Sequence, residues 1–392
     1  MNAPDAAQPV FTRLMPGDPA PWFFQRCQGL PRFVFDSIAG RYVVLCFYLT
    51  AEDAQGRGAV DAMLRNRSLF DDDRASFFGI SLDPRDEATR RVSDSLPGVR
   101  FVWDFDESVA RQYGARPLQA AAAGEPAPSR RFWMVVDPTL HVLAVFPFGT
   151  ADEQHQAVFD LVRRLPPPDR FAGFEIPAPI LILPNVLEPQ LCRRLIDLYD
   201  ADGGSETGVM RQKEGQTVGV IDASFKRRKD YTITDQELIA VLQQRVKRRV
   251  APEIEKLFFM PITRMERYIV GCYTAEDGGH FRPHRDNKTP LTAHRRFAVS
   301  VNLNAEFDGG EVSFPEYNRR GHKAPPGWAV IFPCAILHAV SQVTRGRRYA
   351  FLPFIYDDAG ARIRATNLRE AQPQPDGAPT NPEAAPPQPV AP

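Results

Sequence analysis

Unbroken apolar runs, rather than strict alternation, mark the first part of the chain. Residues 41–49 form one such run, rich in β-branched and aromatic side chains, and it reads as a strand buried on both faces. Residues 75–81 read as a second strand, stopped by Asp83-Pro84. The pattern then predicts a helix over 87–95, a short strand over 101–104 and a helix over 108–113 that ends on Gly114. Residues 132–138 and 141–146 read as a hairpin. Over 151–165 a helix places Val158, Leu161, Val162 and Leu165 on one stripe. Strands alternating with helices imply an α/β layer structure.

Pro166-Pro167-Pro168-Asp169 breaks the chain and predicts a linker. A buried strand is expected over 180–184, then a helix over 188–199 with Leu191, Leu195, Ile196 and Leu198 as its apolar positions. Residues 202–219 are polar and glycine-rich and read as a loop. Thr234 is the expected N-cap of a longer helix carrying Ile239, Leu242, Val246 and Val250, which Pro252 must interrupt or restart. Its basic run Lys247, Arg248, Arg249 reads as a solvated face. From 264 onward the period changes to a series of about eight short strands broken by Gly and Pro, the pattern of a sandwich or barrel. After 365 the chain is Pro/Ala-rich, cannot bury a core, and is expected to be disordered.

Composition narrows this picture. A length of 392 residues suggests two or three domains. Lys plus Arg equals Asp plus Glu at 48 each, so nothing general draws the chain to nucleic acid or an anionic membrane. No apolar run approaches the ~20 residues that span a bilayer, and no secretory signal is visible at the start. The cysteines (Cys27, Cys46, Cys192, Cys272 and Cys334) show no C-x-x-C spacing, which argues against a disulfide framework or a zinc site. A soluble, cytoplasmic protein is the expectation.

Candidate chemistry centres on His284-Arg285-Asp286. In an extended segment, residues i and i+2 project from one face, so an imidazole and a carboxylate converge. His338 offers a third ligand, and two histidines with one carboxylate make the facial triad of non-haem Fe(II). Arg348 lies ten positions after His338. Between the triad's ends stand Phe307-Asp308-Gly309-Gly310-Glu311-Val312-Ser313-Phe314 and Pro326-Gly327-Trp328-Ala329-Val330-Ile331-Phe332. In this combination residues 179–358 resemble the prolyl 4-hydroxylase-like group of Fe(II)- and 2-oxoglutarate-dependent oxygenases. The resemblance implies a double-stranded β-helix (jelly roll) over 179–360, Fe(II) on His284, Asp286 and His338, 2-oxoglutarate as co-substrate and stimulation by L-ascorbate. It implies hydroxylation of a peptidyl (prolyl-type) or small-molecule substrate, with release of succinate and CO2. Arg348 would take the distal carboxylate of 2-oxoglutarate, with Arg345 and Arg347 as competitors. Strand alternation puts Arg348 on the face of Ala350 and Leu352, with Arg347 turned away. Tyr273 occupies the family position that reaches the co-substrate, and Asn302 stands where some relatives have a co-substrate-binding tyrosine. His280, His294 and His322 are expected to be surface or supporting groups.

The first half is similar to the peroxiredoxins of the thioredoxin-like fold. The likeness rests on Gly17-Asp18-Pro19-Ala20-Pro21, Phe47-Tyr48, Gly79-Ile80-Ser81-Leu82-Asp83, Ala110-Arg111-Gln112-Tyr113-Gly114 and Val135-Val136-Asp137-Pro138. The family's active-loop Pro, Thr and peroxidatic Cys fall on Leu49, Asp53 and Gly56. A peroxidase needs a thiolate, and glycine has none. Cys46, inside the apolar run, reads as a small core residue. Arg130 or Arg131 matches the arginine that flanks the family's thiolate. The expected organisation is an arm (1–16), an α/β thioredoxin-like domain (17–165), a linker (166–178), the α+β jelly-roll domain (179–360) and a tail (361–392). A peroxidase–oxygenase fusion with thiol activity in the first domain, and a non-catalytic binding or scaffold protein, stay open as alternatives. So does a protein partner for the first domain.

Overall fold

The computed structural model describes residues 9–119, 127–149, 152–213 and 216–371. Its N-terminal half is built on a seven-stranded sheet ordered Leu30–Val34, Phe24–Cys27, Val99–Trp103, Ala75–Ser81, Tyr42–Leu49, Phe132–Val136, Val142–Pro147. The strand Tyr42–Leu49 is buried along its whole length. Val43, Leu45 and Phe47 enter one core, and Val44, Cys46 and Tyr48 the other. That two-sided burial is why its sequence is continuously apolar. It pairs in parallel with Ala75–Ser81 and antiparallel with Phe132–Val136. Helices Ala54–Arg65 and Asp152–Arg164 cover one face. This is the expected thioredoxin-like arrangement, and Gly114 ends Ser108–Tyr113 in the left-handed region, as expected.

The C-terminal half stacks two sheets. The smaller runs Lys226–Arg227, His280–His284, His338–Val340, Val312–Ser313, Gly321–His322. The larger contains Phe297–Asn302, Arg345–Phe351 and Ile269–Thr274 as adjacent strands. Val299, Val301, Phe351 and Ile355 pack beneath it against Leu195, Leu238, Leu242 and Val246 of helices Pro189–Asp202 and Gln236–Arg249. The result is the expected jelly roll with helices on one outer face.

Several local expectations are corrected. The helix expected over 87–95 lies earlier, at Pro84–Ala88, because Asp83 caps it by accepting from the Arg85 N–H and Pro84 suits the first turn. The strand expected to be buried over 180–184 is Leu181–Leu183, whose Ile182 is exposed; it pairs with Ala329–Pro333. The loop expected over 202–219 contains the hairpin Val209–Lys213/Gln216–Val220. The N-cap of the long helix is Asp235 rather than Thr234, and Pro252 restarts the chain as Ala251–Phe258. Within the basic run, Arg249 is not simply solvated: it donates to the Val186 carbonyl and to Glu188. At the start of the strand series expected from 264, the stretch 265–273, which reads as one strand, divides into Arg264–Glu266 and Ile269–Thr274, with Arg267 at φ 66° between them. The tail expected from 361 begins as a helix, Asp358–Ala371. Residues 372–392, and 1–8 of the expected arm, lie outside the described residues.

Candidate metal centre and co-substrate pocket

His284 and His338 are directly opposed in the antiparallel ladder of the smaller sheet. Asp286 follows just past the end of its strand, held by its N–H donating to the Cys334 carbonyl at 2.9 Å. The ligand atoms of His284, Asp286 and His338 all lie within 4.8 Å of one another, the one such cluster among the described residues. Asp286 Oδ1 is 3.6 Å from His284 Nε2, and its Oδ2 is 3.2 Å from His338 Nε2.

The tautomers follow from the backbone. His284 Nδ1 is 2.8 Å from the Arg282 carbonyl, and His338 Nδ1 is 3.2 Å from the Ile336 carbonyl. A carbonyl can only accept, so each Nδ1 carries the proton and each Nε2 presents a lone pair to the centre. Burial first, then the neighbouring His338, push the His284 pKa down to about 4, so this imidazole is neutral near pH 7. Burial alone would raise the Asp286 pKa, but the two imidazoles hold it well below the usual carboxylate range. A neutral His284 imidazole beside an ionised carboxylate is what binding of a divalent metal requires of these two groups.

Across the pocket, Tyr273 and Arg348 face each other on adjacent strands of the larger sheet. Alternation separates the three arginines as expected: Arg348 is 1% exposed, whereas the Arg347 and Arg345 side chains are exposed. Arg348 Nε donates to Asn302 Oδ1 at 3.0 Å and its Nη2 to Ser300 Oγ at 2.8 Å, while Nη1 is buried without a partner. Both braces are neutral. Burial lowers the Arg348 pKa, as does the nearby Arg228 charge. An enclosed guanidinium with one free donor edge fits a carboxylate ligand. Asn302 is used up as a brace, because its Nδ2 also donates to the Ala324 carbonyl at 2.7 Å. Of the other histidines, His294 is buried beside Glu266, and His280 and His322 are half-buried.

Two pocket residues were not legible in the sequence. Arg228 donates to Tyr273 Oη at 3.2 Å and is fixed by Asp230 at 2.6 and 2.9 Å. Arg267 also lines the pocket. Arg228 sits in a short basic stretch with no apolar period, and Arg267 occupies a break inside what reads as one strand.

In the N-terminal half, the position matching a peroxidatic cysteine is filled differently. Gly56 lies in the first turn of helix Ala54–Arg65, where an added Cβ would stand 1.7 Å from the Thr50 carbonyl oxygen. Asp53 caps this helix by accepting from the Gly56 N–H and is paired with Arg131, which holds its pKa down. Cys46 is buried, and burial raises its thiol pKa well above the ordinary value.

The chain thus joins a thioredoxin-like half to a jelly-roll half in which a two-histidine, one-carboxylate cluster faces a buried arginine. Residues 268–356 match the model of the 2OG-Fe(II) oxygenase superfamily, and residues 16–144 match that of the AhpC/TSA family. A PKHD-type hydroxylase of Pseudomonas fluorescens (strain Pf0-1) is 35% identical over 91 residues, covering 21% of this chain and 39% of the relative. One of Synechococcus sp. (strain JA-3-3Ab) is 29% identical over 94 residues, covering 22% and 41%. The chain thus spans about two fifths of the length of these curated relatives. Among solved structures, a Trichoplax adhaerens prolyl hydroxylase in complex with a hypoxia inducible factor peptide is 18% identical with a TM-score of 0.36, covering 48% of this chain and 86% of its own. The peroxidoxin BcpB of Mycobacterium tuberculosis is 21% identical with a TM-score of 0.31, covering 39% and 99%. No helix among the described residues is long and apolar enough to cross a membrane.

Proposed function

We propose that this chain is an Fe(II)- and 2-oxoglutarate-dependent dioxygenase that hydroxylates a peptidyl (prolyl-type) or small-molecule substrate, with release of succinate and CO2. The observation that carries this reading is the convergence of two Nε2 lone pairs and one carboxylate, faced across one pocket by the free edge of Arg348. His284, Asp286 and His338 would hold the iron, which with 2-oxoglutarate and oxygen supplies the oxidant for an unactivated C–H bond. Arg348 binds and orients the distal carboxylate, braced by Ser300 and Asn302. Tyr273, fixed by Arg228, closes the same end of the pocket. Phe281, Phe332 and Val340 line the walls and exclude water. L-Ascorbate fits as a reductant that keeps the metal ferrous. The oxygenase unit spans residues 179–360, and the thioredoxin-like unit over 17–165 has no peroxidase activity of its own.

Equilibrium dialysis with Fe(II) tests the site. The wild-type chain should bind the metal tightly, and His284→Ala or His338→Ala should not, because each leaves two ligands. Full occupancy in the double variant would remove this site from consideration.

A further inference from the structure

The residue between the two ligands of the His-x-Asp pair has no role in the chemistry above, yet it is among the most enclosed charges in the chain. Arg285 alternates away from His284 and Asp286 and reaches across to the thioredoxin-like half. Its Nε donates to Asp36 Oδ2 at 2.9 Å and its Nη2 to the Asp36 carbonyl at 3.2 Å. Asp36 belongs to the 3-10 turn Phe35–Ile38 of the thioredoxin-like half and is 2% exposed. Arg285 also donates to Glu316 and to the Ala335 carbonyl. Glu316 in turn accepts from the Leu337 N–H at 2.7 Å. Leu337 immediately precedes His338, and its side chain lies in the N-terminal core with Phe35, Phe23 and Tyr113. One network therefore runs from Asp36 to the backbone on both sides of the metal cluster.

The contact is close and specific. Lys288 shares Asp36 Oδ2 at 2.9 Å, and Trp22 lies under both cations, 4.6 Å from Arg285 and 4.1 Å from Lys288. At Gly40 (φ +94°) a Cβ would stand 2.6 Å from the Pro315 carbonyl oxygen, so the two halves meet backbone to backbone. Asp36 and Glu316 balance Arg285 and Lys288 in charge. A buried ion cluster of this kind adds little net stability, but loss of one partner leaves a buried charge unmatched. Groups behind metal ligands set ligand orientation.

We infer that the thioredoxin-like domain is a positioning module for the metal centre, with Asp36 as its positioning residue, acting through Arg285 on His284 and Asp286 and through Glu316 and Leu337 on His338. This rests on the proposed reading of the site. The test uses the full chain and Co(II), a visible-absorbing probe for the same ligand set. Asp36→Asn keeps the side-chain shape and removes its charge. We expect Co(II) to bind about tenfold more weakly, at the lower end of the roughly 10- to 100-fold effect of losing a partner behind a ligand, with an altered d–d spectrum. Arg319→Ala, which cuts the exposed Arg319–Asp73 pair across the same boundary, should change neither affinity nor spectrum. Should Asp36→Asn not fold, Glu316→Gln reports on the other arm by the same two readings. Wild-type affinity and spectrum in the folded variant would overturn the inference and leave the site reading intact. Absence of Co(II) binding by the wild-type chain itself would overturn both.

Discussion

Arg131 in the first half, paired at the cap of the helix that holds Gly56, and Arg348 in the second, lining the pocket of the metal-ligand cluster, are treated differently by the chain. Arg131 is matched by the carboxylate of Asp53, so its charge is satisfied within the protein. Arg348 is more deeply buried and meets only an amide, a hydroxyl and a phenol ring. An enclosed charge braced by neutral dipoles is costly until an anion arrives. The same contrast holds for the sulfur and the metal ligands: Gly56 has no side chain and no room for one, while three ligand atoms converge with lone pairs directed inward. The second half leaves valences open, whereas the first closes them within the chain.

The sharpest way to break this comparison is to remove Arg348. Charge-assisted hydrogen bonds contribute roughly 1.5–3 kcal/mol each, so Arg348→Ala should weaken 2-oxoglutarate on the order of 100-fold at ~1.4 kcal/mol per decade. Arg348→Lys should be intermediate, since it keeps the charge and loses the planar fork. Arg347→Ala, on the exposed face, should do little. Dissociation constants measured anaerobically with saturating iron check all three. A crippled Arg347→Ala beside a healthy Arg348→Ala would put the co-substrate on the other face of the strand.

A smaller effect is expected from restoring the missing sulfur. Gly56→Cys should yield no thiol-dependent hydrogen peroxide reduction. It should also lower stability by about 1–3 kcal/mol or more, the usual cost of overpacking, because the Thr50 carbonyl occupies the Cβ position. Thermal melting and a coupled peroxide assay read both. Rapid peroxide turnover would mean that the N-terminal half lacks only its nucleophile.

The layer class of both halves was legible in apolar period, and the particular folds in the motifs that resemble known families. The buried run ending at Leu49, the helix stripe of Val158 and Val162, and the His-x-Asp alternation all survive in the structure. What was hidden depends on contacts distant in sequence. The hairpin Val209–Lys213/Gln216–Val220 shows no sustained apolar period in its sequence. Arg228 and Arg267 become pocket residues only once the two sheets stack. The role of Asn302 turns on Arg348, 46 residues later, and Arg285 looks like a spacer until Asp36, 249 residues earlier, is placed beside it.

The smallest expected effect concerns Asp104, the N-terminal half's own buried charge among mainly neutral donors. Its carboxylate accepts from the Val109 and Ala110 N–H groups and from Gln25, and burial raises its pKa to about 6. The folded state therefore holds this proton up to a higher pH than the unfolded state, whose carboxyl titrates near ~3.9. Stability from this group is present below about pH 4 and is lost as pH rises through about 6. Asp104→Asn should flatten the melting temperature between those limits. An unchanged slope would assign it to other carboxylates. Unlike Arg348, Asp104 is relieved by a proton rather than by a ligand.

The most direct test of the proposed activity is succinate formation from 2-oxoglutarate by the purified full chain with Fe(II), ascorbate and oxygen, against pools of peptides and small metabolites. We expect slow succinate release without substrate, faster release with an accepted one, and neither in His338→Ala or Arg348→Ala. No succinate from wild-type protein that is shown to hold iron, or equal succinate from the Arg348→Ala variant, would contradict the assignment.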